Sequence, residues 1–165
     1  MQAVVSRVPI AQAASEFLSQ KRIAVTGVSK KNPGAHGANA VYQRLVDRGY
    51  EVFPVNPNAD SIAGRPCYPN LTAIPGGVDA VVIGTRPERA EATMRECVDL
   101  GIKYGWMHRS VDAGSVSAAA TDYGRAHGVT VIPGGCPLMF EPVTDGGHKV
   151  MKFVFTLTGA VPRKV

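Results

Sequence analysis

The chain has 165 residues, 45% of them hydrophobic and 19% charged, which suits one domain with a real core and excludes disordered and coiled-coil chains. Its 18 glycines and 12 prolines are scattered as punctuation, so collagen-like and low-complexity readings fail. The formal charge of +5 is concentrated at one end: residues 146–165 hold Lys149, Lys152, Arg163 and Lys164 without an acid, while residues 1–145 carry 14 bases against 13 acids. A nucleic-acid surface needs a basic stripe over the folded body, so no nucleic-acid partner is expected.

A helix is predicted over residues 9–20, where Gln12, Ser15 and Glu16 break the apolar run a signal peptide would need. The first strand follows at 22–26, then a loop, then Ala38, Val41, Tyr42 and Leu45 at helical spacing. A second strand covers 50–55. Pro54, Pro57, Pro66, Pro69 and Pro75 crowd the next crossover and leave at most a turn near residues 71–74. The third strand covers 78–83, and a helix beginning at Pro87 carries Ala90, Met94, Cys97 and Val98 on one face. The fourth strand covers 102–107. Asp112 is the expected cap of the next helix, whose stripe is Val116, Ala119, Ala120 and Tyr123. The fifth strand covers 129–132, and a closing helix spans 148–158 with Gly159 after it. Gly49, Gly101 and Gly128 each stand between a helix and a strand, where a left-handed residue is wanted. Continuous apolar strands alternating with helices predict an α/β fold: a Rossmann-like, doubly wound, five-stranded parallel sheet in three layers, with extra N- and C-terminal helices. No apolar run nears the roughly 18 residues that span a bilayer, so a cytoplasmic protein without a membrane partner is expected.

Open α/β sheets take ligands at the carboxyl ends of their strands. After the first strand stand Gly27, Val28, Ser29, Lys30, Lys31 and Asn32, with His36 and Gly37 leading into the helix. Glycines, a hydroxyl and two lysines before a helix N-terminus point to phosphate binding. The dinucleotide motif G-x-G-x-x-G is absent. So is the acid that would hold a ribose diol at the end of the second strand, which reads Val55, Asn56, Pro57 and Asn58. This argues against NAD and FAD.

The strings Ile23-Ala24-Val25-Thr26-Gly27-Val28-Ser29, Val55-Asn56-Pro57-Asn58, Gly64-Arg65-Pro66-Cys67-Tyr68-Pro69 and Gly135-Cys136-Pro137 resemble the small CoA-binding domain proteins. That family is similar to the CoA-binding domain of succinyl-CoA synthetase α subunits. The resemblance covers about residues 15–142 and leaves a helical extension over 143–165. It implies coenzyme A, or an acyl-CoA, as the ligand. Gly27, Val28, Ser29, Lys30, Lys31, Asn32, His36 and Gly37 would lie on the phosphates. Val55, Asn56, Pro57 and Asn58 would flank the adenosine; Thr85, Arg86 and Pro87 would line the nucleotide side. His108 would approach the pantetheine, although the family commonly has Gln and then Gly where this chain has His108-Arg109-Ser110. The synthetase's catalytic regions have no counterpart in 165 residues, so a freestanding synthetase is not expected.

Catalytic and metal sites find little support. Cys67, Cys97 and Cys136 are too few and too widely spaced for a zinc site, and His36, His108, His127 and His148 make no ligand pair. His127, ahead of Gly128, suits a helix C-terminus. Trp106 and Tyr104 suit the core. Cys136 lies past the fifth strand and, with no base identifiable, suits a buried structural thiol better than a nucleophile; if CoA's thiol arm reaches that strand end, an oxidant should form a mixed disulfide there, with Cys67 as its competitor. The expectation is a CoA or acyl-CoA binder with no catalytic residue. Two alternatives stay open: a small acyl-CoA or NAD(P)-dependent enzyme using His108 or Cys136, and a CoA-responsive module acting on a protein partner through its C-terminal helix. A homo-oligomer is equally open.

Overall fold

The apolar runs become strands covered on both faces. The computed structural model describes residues 7–31, 37–109 and 114–165. In chain order these form α1 (Ile10–Leu18), β1 (Arg22–Thr26), α2 (Ala38–Asp47), β2 (Glu51–Val55), the small hairpin β3 (Ser61–Ile62) and β4 (Arg65–Pro66), and β5 (Ala80–Ile83). Then come α3 (Pro87–Asp99), β6 (Tyr104–Met107), α4 (Ala118–Ala126), β7 (Thr130–Pro133), a 3-10 turn at Pro137–Met139 and α5 (Gly146–Thr158). The five long strands form a parallel sheet in the order β2-β1-β5-β6-β7. Alternate side chains serve opposite faces, as the two-residue strand period requires. Ile23, Val25, Val82, Trp106 and Ile132 pack toward α1 and α2, while Ala24, Val81, Ile83, Met107 and Val131 pack toward α3 and α4. The doubly wound three-layer fold is as expected, apart from the β3–β4 hairpin, which the proline-rich crossover concealed.

Several strands begin later than the apolar pattern suggests, and the helix caps explain why. Tyr50 N–H donates to Leu45 O, Ile102 N–H to Cys97 O and Val129 N–H to Gly124 O. Each residue after Gly49, Gly101 and Gly128 therefore closes the preceding helix before the sheet begins.

The fourth helix corrects two expectations. It starts at Ala118, capped by Ser117 Oγ accepting from Ala120 N–H at 3.2 Å; Asp112 lies outside the described residues. Its inward face is Ala120, Thr121 and Gly124, whereas Ala119 is exposed. A Cβ on Gly124 would stand 2.7 Å from both Met94 Sδ and Val131 Cγ2. Helix and sheet approach too closely there for a large side chain, so an apolar template misses the face.

Asp145 caps α5, accepting from His148 N–H at 2.8 Å, and binds the Arg44 guanidinium of α2 at 2.8 Å. The His148 amide and the guanidinium hold its carboxyl well below the usual carboxylate range. This cap starts α5 two residues before the expected position. Arg44 also donates to Val143 O, tying the tail to α2.

Candidate functional site

Strand order reverses between β1 and β5, which places a crevice at their carboxyl ends. Gly27 follows β1 and Gly84 follows β5. Gly27 has φ +80°, and a Cβ there would stand 2.6 Å from the Gly84 carbonyl carbon; one on Gly84 would stand 2.6 Å from Thr26 O. The two turns touch backbone to backbone, so the crevice floor carries no side chain. Thr26 Oγ1 accepts from Gly84 N–H at 3.1 Å and fixes their spacing.

From this floor a cleft of about 810 Å³ runs between the proline-rich crossover and the outward face of α3. Its size falls within the roughly 300–1,000 Å³ of small-molecule and cofactor sites. Of the residues expected from sequence, Gly27, Val55, Asn56, Pro57, Asn58, Thr85 and Arg86 line it. The Asn56 side chain works internally: its Nδ2 donates to Val28 O at 2.8 Å and its Oδ1 accepts from Asn58 N–H at 2.8 Å. It therefore holds the β1 and β2 loops together. Ser29 is fixed from both sides by the Asn39 amide, whose Oδ1 accepts Ser29 N–H at 2.8 Å and whose Nδ2 donates to Ser29 O at 2.6 Å.

Other expected residues take different places. Val28 is fully buried in the α2-side core, so only its backbone serves the loop. Lys30 and Lys31 are exposed; burial pushes the nearby Cys67 thiol up, and the Lys30 charge offsets only part of that. Gly37 caps α2 at φ +66° and Pro87 opens α3. Neither lines the cleft. Asn32 and His36 lie outside the described residues. His108 is buried at the end of β6, its backbone N–H on Ile83 O and its carbonyl accepting Ser115 N–H, and is not among the lining residues.

One wall escaped the sequence reading. Arg89, Thr93 and Glu96 project from α3 into the cleft, facing Asn70 and Leu71 of the crossover. Their four- and three-residue steps complement the apolar Ala90–Met94–Cys97 face, which was the only signal available. The Glu96 carboxylate is occupied, accepting from Leu71 N–H at 3.0 Å and Thr72 Oγ1 at 2.9 Å. Arg86 and Arg89 sit at the opposite, N-terminal end of α3, where the helix dipole is positive. The cleft thus has an anion-favouring end beside the glycine floor. There Thr85 Oγ1 is buried with no hydrogen-bond partner among the described residues.

Residues 21–142 match the CoA binding domain. The chain belongs to that family. Its CoA-binding domain is 39% identical over 85 residues to acetate–CoA ligase (ADP-forming) II of Archaeoglobus fulgidus, a match spanning 50% of this chain and 12% of the ligase. It is 30% identical over 124 residues to the YneT protein of Bacillus subtilis, covering 75% of this chain and 87% of that one. A protein of Pyrococcus horikoshii shares the fold with TM-score 0.70 and 26% identity, over 78% of this chain and 87% of the other. The extension holding α5 lies beyond the matched residues.

Among the described residues no cluster of His, Cys, Asp and Glu could hold a metal, and no helix is long and apolar enough to cross a membrane. His127 caps α4 as expected, its Nδ1 2.8 Å from Tyr123 O. Cys136 takes the place of a buried structural thiol, which disfavours a mixed disulfide there. It is 3% exposed, with its thiol pushed up to about 12 by burial, and Cys97 is raised to about 12 in the same way. At pH 8 such a group is held as the unreactive thiol. Iodoacetamide at pH 8 should therefore label the folded chain at Cys67 before Cys97 or Cys136, as read by peptide mass spectrometry. Early labelling of Cys136 would return it to the list of reactive groups.

Proposed function

We propose that this domain binds coenzyme A, or an acyl-CoA, with its nucleotide half in the cleft between β1 and β5, and that it supplies no catalytic group of its own. The carrying observation is the Gly27–Gly84 floor beside the N-terminal end of α3. A phosphate can approach a side-chain-free backbone there, with Arg86 and Arg89 adjacent. The residues present fit the ligand. The cleft is large enough, Thr85 Oγ1 lacks a partner that a ligand oxygen would supply, and no carboxylate stands at Asn56-Pro57-Asn58 to repel a phosphorylated ribose. Lys30 and Lys31 extend the positive field on the β1 side. The buried, unactivated thiol of Cys136 and the placement of His108 off the lining favour binding without turnover.

Titration calorimetry with CoA, dephospho-CoA, ADP and NAD tests the reading. CoA should bind at least tenfold more tightly than NAD; equal binding of the two would overturn it. Lys30→Ala combined with Lys31→Ala should weaken CoA, each lysine contributing about 1–2 kcal/mol as a charge-assisted contact, and the loss should shrink in high salt. Unchanged affinity in the double variant would remove the first loop from the site.

A further inference from the structure

We propose that α5 is the interface of a homodimer, in which two copies of this helix pack antiparallel about a two-fold axis. The inference is independent of the CoA reading. Val150, Phe153, Val154 and Leu157 are 64%, 67%, 44% and 67% exposed, and their spacing puts them on one stripe of the helix. Met151 and Phe155, on the opposite side, lean on the core. The stripe accounts for four of the five large hydrophobic side chains left exposed among the described residues.

Charge and register select the occupant. An anionic bilayer would need free cations flanking the stripe, yet Lys149 is paired with Glu141 at 3.0 Å and Lys152 lies 4.3 Å over the Phe140 ring. A second copy needs no such cations, because the stripe holds no charge and α5 holds no acid. In an antiparallel pair centred between residues 153 and 154, Val150 meets the partner's Leu157 and Phe153 meets the partner's Val154. Each contact is returned by symmetry, as an isologous interface requires, and each sets a smaller side chain against a larger one. The two Lys149 residues then stand about 13 Å apart along the axis, and each keeps its own Glu141. A parallel pair would set the lysines side by side.

A four-residue stripe makes a small interface beside the roughly 800 Å² per partner of standard stable ones, so a concentration-dependent dimer is expected. Sedimentation of the full chain from 2 to 400 µM should show a monomer–dimer equilibrium. Phe153→Glu should abolish it while leaving the circular dichroism spectrum and thermal midpoint unchanged. For orientation, Val150→Cys mixed with Leu157→Cys should cross-link under mild oxidation. Neither should cross-link alone, because equivalent positions are about 10 Å apart along the axis and disulfides need Cα atoms within about 7 Å. The native cysteines are all buried and give little background. A chain monomeric at 400 µM, a dimer unaffected by Phe153→Glu, self-cross-linking of either single variant, or a monomer that binds anionic vesicles through the stripe would each overturn the proposal.

Discussion

Trp106→Ala is expected to lower the stability of the fold by about 3–5 kcal/mol, the range for deleting a fully buried aromatic side chain. Trp106 is 0% exposed. It meets Phe17 of α1 edge-on at 5.3 Å and Phe140 at 5.4 Å. Its indole N–H donates to Gly134 O at 2.9 Å. Truncation opens a cavity that these rigid neighbours cannot close and removes the side-chain donor to that carbonyl. At about 2–4 °C per kcal/mol for a chain of this size, the thermal midpoint should fall by about 6–20 °C. Trp106→Phe keeps most of the apolar volume and loses the indole donor, so it should cost less. Scanning calorimetry of both variants decides: if Trp106→Ala melts within 2 °C of the parent, the ring is not the keystone its contacts describe.

The same residue shows how packing reaches the carboxyl edge of the sheet. Gly134 continues into Gly135, whose carbonyl accepts Arg109 N–H and whose N–H donates to Ala160 O. The ends of β6 and β7 and the segment after α5 are thus held in one hydrogen-bonded set. A loosened Trp106 should disturb this edge before it disturbs the floor at Gly27 and Gly84, which lies between β1 and β5.

The elements were legible because their signals are local. Continuous β-branched runs mark strands buried on both faces, and Gly49, Gly101 and Gly128 mark the helix ends. The face of α4 was not legible, since Thr121 and Gly124 are interior by close approach and not by hydrophobicity. The β3–β4 hairpin was hidden because its pairing lies within a proline-rich segment that carries no periodicity. At the site, the glycine-bearing loop after β1 and the missing acid after β2 could be read directly. The α3 wall could not: Arg89 and Thr93 become cleft residues only because the crossover, fixed through Glu96 to Leu71 and Thr72, folds over that face. Asn56 was read as a ligand neighbour from its place in the chain. Only the fold shows both ends of its amide in use.

Gly27→Ala should affect fold and site together, and Gly101→Ala separates the two causes. Both glycines have positive φ, +80° and +71°, so both substitutions pay about 1–2 kcal/mol of left-handed strain. At Gly101 nothing stands within 4 Å of the added Cβ, and the strain should be the whole effect. At Gly27 the methyl also overlaps the Gly84 peptide, with 2.6 Å to its carbonyl carbon and 3.0 Å to Thr85 N. These are backbone atoms that cannot rotate away. Overpacking of this kind costs about 1–3 kcal/mol more, for a total of about 2–5 kcal/mol. Relief requires β1 and β5 to part at their ends, which opens the Thr26–Gly84 hydrogen bond and moves the floor a phosphate would approach. CoA affinity of the folded fraction, measured at low temperature, should fall at least tenfold in Gly27→Ala and stay near parental in Gly101→Ala. Denaturant unfolding gives the stabilities. Equal losses in the two variants would mean that the turns after β1 and β5 have room to spare, and the close approach would no longer explain why both end in glycine.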